Sequence, residues 1–588
     1  MIKRHKLLTS LFLSSIVLAT ACSKQEGLKV AGVKKTENTL VIPMPLEREA
    51  RDELVNDTSG RVVAKQERAQ KHPVDQMHIM QEQVRSKVLG STEPAAPIPS
   101  GLVYDNSYSI VAPDREVYGE YIENVRMLTE RESISTFSID VDTGSYTNTR
   151  RFLSAGQLPP IDAVRVEEFL NYFKYNYPQQ YDKPFTLNYE IAPAPFQKGR
   201  HLVKLGIKAR DAKDFSDKGW NLVFLIDVSG SMQSSDKLPL VKQTLKLLVN
   251  KMRAQDRIAI VTYAGNAGVA LESSGIQEKQ KIINAIDALG AGGSTHGSAG
   301  IMEAYRIASE NMIDGGVNRV LLSTDGDFNV GITSFDSLIK LIEEKRKTGV
   351  TLTTLGFGTG NYQEKNMEQL ANKGNGNYFY IDNFKEARKV LETDLFATME
   401  VVAKDVKLQI EFNPEHVVEY RLVGYENRKL RKEDFNNDAI DAGEIGSGHT
   451  VTAIYEVVLK DSELANSLNT QYRYATEQKH IEEKKESSFS NELAFLKIRY
   501  KKPEGSKSAL LTFPLLKSDV TSSFAKASDD FRFAASVAAF GQLLRKSQYI
   551  EQESFNKVIE IAQNALGEDA FGYRREFVEI VKNASVIQ

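Results

Sequence analysis

Leu225-Ile226-Asp227-Val228-Ser229-Gly230-Ser231-Met232 closes an apolar stretch with a carboxylate and two hydroxyls at alternate positions. In near-extended backbone, side chains at i, i+2 and i+4 point the same way, so Asp227, Ser229 and Ser231 can converge on one point beyond a strand. Oxygen-only ligands of this kind favour Mg²⁺, with Mn²⁺ or Ca²⁺ as alternatives, over zinc. Two later loops can complete such a site. Gly292-Gly293-Ser294-Thr295-His296-Gly297 supplies a hydroxyl at Thr295, and Ser323-Thr324-Asp325-Gly326-Asp327 follows the strand pattern 319–322.

Around these loops, strand patterns at 222–226, 258–263, 320–323, 351–355 and 378–381 alternate with helical patterns near 238–252, 278–289, 298–311, 334–346, 363–373 and 384–398. That alternation predicts an α/β fold over 218–400, a doubly wound, mostly parallel sheet with helices on both faces. Ligands of such sheets bind beyond the carboxyl ends of strands, where the strand order reverses. Asp227 and Asp325 both fall at strand ends.

The pattern D-x-S-x-S, then a Thr after glycines, then an Asp after a strand, resembles the metal-ion-dependent adhesion site of the von Willebrand factor A family, a Rossmann-like fold. The resemblance implies direct metal contacts from the hydroxyls of Ser229, Ser231 and Thr295, with Asp227 and Asp325 acting directly or through water. It further implies an open coordination position that accepts an Asp or Glu carboxylate from a protein partner. A lone D-x-S-x-S could merely cap the following helix, as such residues often do. Three matching sites on the expected loops favour metal instead. His296 then reads as a rim residue and Asp327 as a loop-stabilising one.

Residues 1–21 have a charged start, Met1-Ile2-Lys3-Arg4-His5-Lys6, a short apolar run over 7–18, and small residues before Cys22. This is the architecture of an export signal, and it resembles bacterial lipoprotein signals cleaved before a lipid-modified cysteine, so Cys22 is the expected lipidation site. Residues 22–115, rich in Lys, Glu, Gln and Pro, read mainly as a flexible tether. The expected location is the bacterial cell envelope, anchored in the membrane by lipid. Ser23 favours the outer over the inner membrane in a Gram-negative cell. Cys22 is also the sole cysteine, which excludes an intramolecular disulfide and a thiolate metal cage. With 75 basic against 78 acidic residues and no basic block, nothing points to nucleic acid.

The flanks of the α/β block differ from it. Over 116–217, Phe137, Ile139 and Val141 alternate with polar residues and run into a helix ending near Gly156; a second helix follows Pro159-Pro160 with Asp162 as its expected cap. Strand patterns then return at 185–191 and 202–207. Over 401–588, β patterns at 406–410, 451–458 and 493–500 precede a helical tail, where Ser528-Asp529-Asp530 starts a helix and Gly567 closes another. These features predict an α+β N-terminal region and a β-rich C-terminal domain ending in a helical hairpin. From Ser135-Thr136-Phe137-Ser138-Ile139-Asp140-Val141-Asp142-Thr143 through the central site to Asp441-Ala442-Gly443-Glu444-Ile445, the chain resembles the bacterial YfbK-type lipoproteins, in which two family-specific regions flank an A domain.

Competing chemistries are weaker. Asp142-Thr143-Gly144-Ser145 matches the short aspartic-protease signature, but no second D-T-G exists, and Asp142 reads better as a helix cap. No G-x-S-x-G elbow and no H-E-x-x-H is present. The acidic run from Asp434 to Glu444 places Ala439 where a Ca²⁺ loop needs glycine and Ile445 where it needs a bidentate glutamate, so a polar turn is expected. The function these readings predict is a lipid-anchored envelope protein that binds a protein partner through a divalent cation and is not an enzyme. The alternative is an envelope hydrolase using the metal or Asp142.

Overall fold

Strands of the computed structural model run in chain order as β1 (Met127–Leu128), β2 (Ile134–Ser138), β3 (Phe185–Pro193), β4 (His201–Ala209), β5 (Trp220–Asp227), β6 (Arg257–Tyr263), β7 (Ala267–Gly275) and β8 (Val317–Thr324). They continue as β9 (Thr351–Phe357), β10 (Tyr378–Ile381), β11 (Val401–Phe412), β12 (Val417–Val423), β13 (Gly443–Gly446), β14 (Thr450–Leu459), β15 (Glu492–Lys501) and β16 (Ser508–Leu516). The structure describes residues 116–588 except 121, 140, 181, 212–217, 294–296, 327–334, 361, 441, 469–488 and 504. The signal segment, Cys22 and the tether expected before residue 116 lie outside the described residues. Among the described residues, no helix is long and apolar enough to cross a membrane.

The α/β fold is as predicted: a six-stranded sheet of order β10-β9-β8-β5-β6-β7. All its pairings are parallel except β6 with β7, which is antiparallel. Along β5, Leu222, Phe224 and Ile226 pack toward helices Leu238–Val249 and Lys279–Ala288. Val223 and Leu225 pack toward helices Gly297–Glu310 and Phe335–Lys345 on the other face. The continuous apolar run of β5 therefore follows from burial on both faces. Because β5 lies between β6 and β8, the strand order reverses there, and a crevice opens between the ends of β5 and β8.

The two flanking regions are not separate units, and this corrects the sequence reading. Strands from both interleave in an antiparallel sheet of order β1-β12-β14-β4-β3. The second sheet, β13-β11-β15-β16, takes β2 from the N-terminal side against β11. Val203, Leu205 and Ile207 of β4 meet Leu408, Ile410, Leu496 and Ile498 of the second sheet in one core. The opposite face of the first sheet carries a helical layer that unites Phe169 and Phe173 with Phe533, Phe540 and Phe577. That tail holds three helices, Asp529–Leu544, Phe555–Gln563 and Tyr573–Ile587, where a hairpin was expected. Ser528 caps the first of them, accepting from the Phe531 amide.

Helix Gly144–Ser154 joins sandwich and α/β domain. Thr143, not Asp142, holds its N-cap position, and the Asp142 carboxylate accepts from the Tyr378 amide of edge strand β10 at 3.1 Å and from Arg428 at 3.3 Å. Thr147 donates to the Tyr380 carbonyl of the same strand at 2.8 Å. Gly144 is required here, since a Cβ would fall 2.1 Å from the Tyr378 ring. The aspartic-protease-like motif is thus a seal over an exposed sheet edge. Asp162 is exposed and caps nothing either; Glu168 instead reaches across to accept from the Ser145 amide at 2.8 Å. Arg165, 1% exposed, ion-pairs Glu168 and holds both oxygens of Glu364, at 2.9 and 3.1 Å. Replacing Arg165 by alanine leaves these carboxylates buried without their counter-charge, and equilibrium urea unfolding should register a loss of about 3–5 kcal/mol. Arg165→Lys, which keeps the charge but not the two-pronged geometry, should recover only part of it.

Candidate functional site

The site forms where β5 ends. Asp227 is fully buried, and its Oδ1 accepts from the Ser229 amide at 2.8 Å, the local turn that Asp favours. Its Oδ2 accepts from the Thr324 hydroxyl at 3.0 Å and the Tyr263 hydroxyl at 3.3 Å. Donors from the ends of β5, β6 and β8 therefore fix one carboxylate. Burial pushes the Asp227 carboxyl up to about 6, the Ser229 hydrogen bonds opposing and the nearby Asp325 charge adding to the shift.

Beyond Asp227 the chain lifts outward. The Ser229 hydroxyl is buried and lies 3.0 Å from that of Ser231, which is exposed, so the pair leads from interior to solvent. The glycine loop is laced to this turn: Gly230 donates to the Gly293 carbonyl at 3.1 Å, and Gly292 to the Val228 carbonyl at 2.7 Å. Gly293 adopts φ +87°, a conformation that favours glycine. Thr295 and His296 follow directly in sequence and lie outside the described residues, as does Asp327.

Asp325, at the end of β8, is buried and accepts from the Lys237 ammonium at 2.9 Å. The lysine reaches it by crossing Gly358, whose φ is +76° and where a Cβ would come within 2.3 Å of the lysine stem. The structure thus places Asp227, Ser229 and Ser231 at and just beyond the end of β5, and Asp325 at the end of the adjacent β8. It adds three residues that sequence reasoning missed: Tyr263, Thr324 and Lys237. The first two had a usable signal, because parallel register sets Asp227 beside Tyr263 and Ile226 beside Ser323, one step from Thr324. Nothing in the spacing marks Lys237. Two carboxylates, clustered hydroxyls and a single ammonium make an oxygen-rich, net-negative donor set, the chemistry a hard divalent cation requires.

The acidic run after Asp434 is placed elsewhere. Asp434 is bound by Arg431 at 3.0 Å and Asp438 by Arg499 at 3.3 Å, so these carboxylates anchor a polar turn beside β15.

Comparison with known proteins agrees with the layout. Residues 221–393 match the model of the von Willebrand factor type A domain, residues 112–204 a model described as von Willebrand factor, and residues 397–587 the model "Uncharacterized protein YfbK, C-terminal". The chain is 47% identical over 483 residues to the "Uncharacterized protein YfbK" of Escherichia coli (strain K12), covering 81% of this chain and 82% of that one. It is 26% identical over 234 residues to the magnesium-chelatase 67 kDa subunit of Chlorobaculum tepidum, covering 35% and 37%. Among solved structures, the von Willebrand factor type A protein from Catenulispora acidiphila aligns over 68% of this chain and 91% of its own, with 15% identity and a TM-score of 0.37. With a von Willebrand factor type A domain at its centre and the YfbK C-terminal region after it, the chain belongs to the YfbK family.

Proposed function

We propose that this chain is a lipid-anchored cell-envelope protein whose A domain captures a protein partner through a divalent cation, without catalysing a reaction. The observation that carries the reading is the lacing of loops from separate strand ends around Asp227, Ser229 and Asp325 at the sheet's switch point. Asp227, Ser229, Ser231 and Asp325, with Thr295, would hold Mg²⁺, or Mn²⁺ or Ca²⁺ in its place. When bound, the ion would offer an open position to an Asp or Glu side chain of the partner. The chain's own residues prepare that event: Tyr263 and Thr324 orient Asp227, and Lys237 balances part of the negative charge at Asp325. Anchoring through Cys22 in the envelope membrane, the outer one in a Gram-negative cell, rests on the signal-like N-terminus.

Calorimetric titration of the full chain with Mg²⁺ or Mn²⁺ should show one site, abolished by Asp227→Ala with the unfolding transition kept. Crosslinking in intact cells should then yield a partner adduct that chelator removes. An adduct untouched by chelator, or unchanged in Asp227→Ala, would sink the proposal.

The buried carboxylate also predicts a pH signature in the metal-free protein. With the Asp227 carboxyl at about 6 in the fold against an ordinary value of 3.8, the folded state takes up a proton more readily than the unfolded one. Stability should therefore fall as pH rises from about 4 to about 6 and level off above, by at most roughly 3 kcal/mol from this group. Urea unfolding in chelator across that range should show a shallower decline for Asp227→Asn than for the parent.

A further inference from the structure

A second cavity, remote in sequence from the strand ends of the A domain, opens between the first antiparallel sheet and its helical layer. It holds about 650 Å³, within the roughly 300–1,000 Å³ of small-molecule sites. Lys204, on the interior strand β4, lines it and is only 4% exposed. Its ammonium makes no hydrogen bond among the described residues; the nearest carboxylate oxygen, of Glu190, lies 3.9 Å away. The rings of Tyr177, Tyr175 and Phe531 surround it at 5.4, 5.7 and 5.9 Å. Such faces partly stabilise a cation but offer no acceptor for its three N–H groups. Burial draws the Lys204 ammonium below its ordinary range, the charges of Glu190 and Asp530 opposing the shift.

The Tyr175 ring lines the same cavity, while its hydroxyl is closed off from solvent and without a hydrogen-bond partner among the described residues. By contrast, the neighbouring charges are spent. Arg574 holds Asp530 at 2.5 Å, and Glu190 accepts from the Ser528 amide and hydroxyl at 2.7 and 2.6 Å. Glu568 lines the cavity, is exposed, and makes no ion pair among the described residues. A buried ammonium with only a distant counter-charge and no hydrogen-bond acceptor among the described residues, aromatic walls and an exposed carboxylate define a polarity across the cavity. Along its lining four carboxylates, Glu190, Asp529, Asp530 and Glu568, face three cations, Lys174, Lys204 and Arg574, and this slight negative balance favours a ligand carrying both charges over a multiply charged anion such as phosphate.

We propose that this cavity binds a small zwitterion of amino-acid or dipeptide type, its carboxylate against Lys204 and its amine toward Glu568. The carboxylate replaces the hydrogen bonds that Lys204 lacks, and an apolar body rests on the tyrosine rings. The site is independent of the metal crevice.

Saturation-transfer NMR on the full chain tests this with free phenylalanine and alanyl-alanine as probes. Phenylalanine amide, which lacks the carboxylate, N-acetyl-phenylalanine, which lacks the amine, and inorganic phosphate serve as comparisons. Both zwitterions should bind at millimolar concentration or below, and the amide should not; the N-acetyl compound should bind more weakly. Lys204→Met, which keeps the side chain's length, should weaken binding about tenfold or more, as loss of a charge-assisted hydrogen bond dictates, and Lys204→Arg should retain part of it. Binding of the amide equal to that of the free acid, binding of phosphate alone, or no binding by the parent chain overturns the proposal. The comparison of acid with amide decides even if Lys204→Met fails to fold.

Discussion

Arg165 sits between two carboxylates that belong to different parts of the fold, Glu168 in the flanking module and Glu364 at the head of helix Glu364–Lys373 in the A domain. A buried guanidinium is tolerable only when its charge and donors are met, and both glutamates must be in place for that. Burial is costly enough to push the Glu364 carboxyl up to about 7 even with the arginine beside it. Arg150 repeats the arrangement, joining helix Gly144–Ser154 to Asp382 at 2.6 Å and Glu386 at 2.8 Å. These contacts penalise any other docking of module on domain. Through them the helix lies along β10, and the sheet that carries Asp227 and Asp325 at its strand ends has its edge closed.

The mount and the site occupy opposite regions of one sheet's architecture. β10 is the strand to which the module is fixed, whereas the crevice lies at β5 and β8, the reversal point. Within the crevice, Asp227 is held by its own loop and by both neighbouring strands, so its position is set before any ligand arrives. Lys237 serves a different end. Its ammonium supplies a counter-charge to the buried Asp325 carboxylate at 2.9 Å.

Local periodicity made the A domain legible because its inner strands are continuous apolar runs buried on both faces and its helices pack an apolar side against them. The one strand missed there, β7, is an edge element whose Gly- and Ser-containing sequence leaves alternate residues in solvent. The sandwich was not legible as a single body, since nothing in the alternation of β4 reveals that its partner is β14 on the far side of the A domain. Caps misled for a related reason. Asp142 and Asp162 have the right residue type, but the amide of Ser145 is met by Glu168 and that of Tyr378 by Asp142, pairings set by tertiary contact. In the crevice, alternate spacing identified the residues whose side chains share a direction. Lys237 arrives from outside that pattern, over a glycine.

The interleaved sandwich imposes an order on biogenesis. In a chain made from its N-terminus, the hairpin β3–β4 emerges with one edge of β4 unpaired, and that edge stays open until Thr450–Leu459 appears. The A domain, complete within 220–399, can condense in the interval, because its sheet takes no strand from outside. The sandwich must then close around a finished insert, with the slow kinetics that distant pairings carry and with an exposed strand edge meanwhile open to wrong partners.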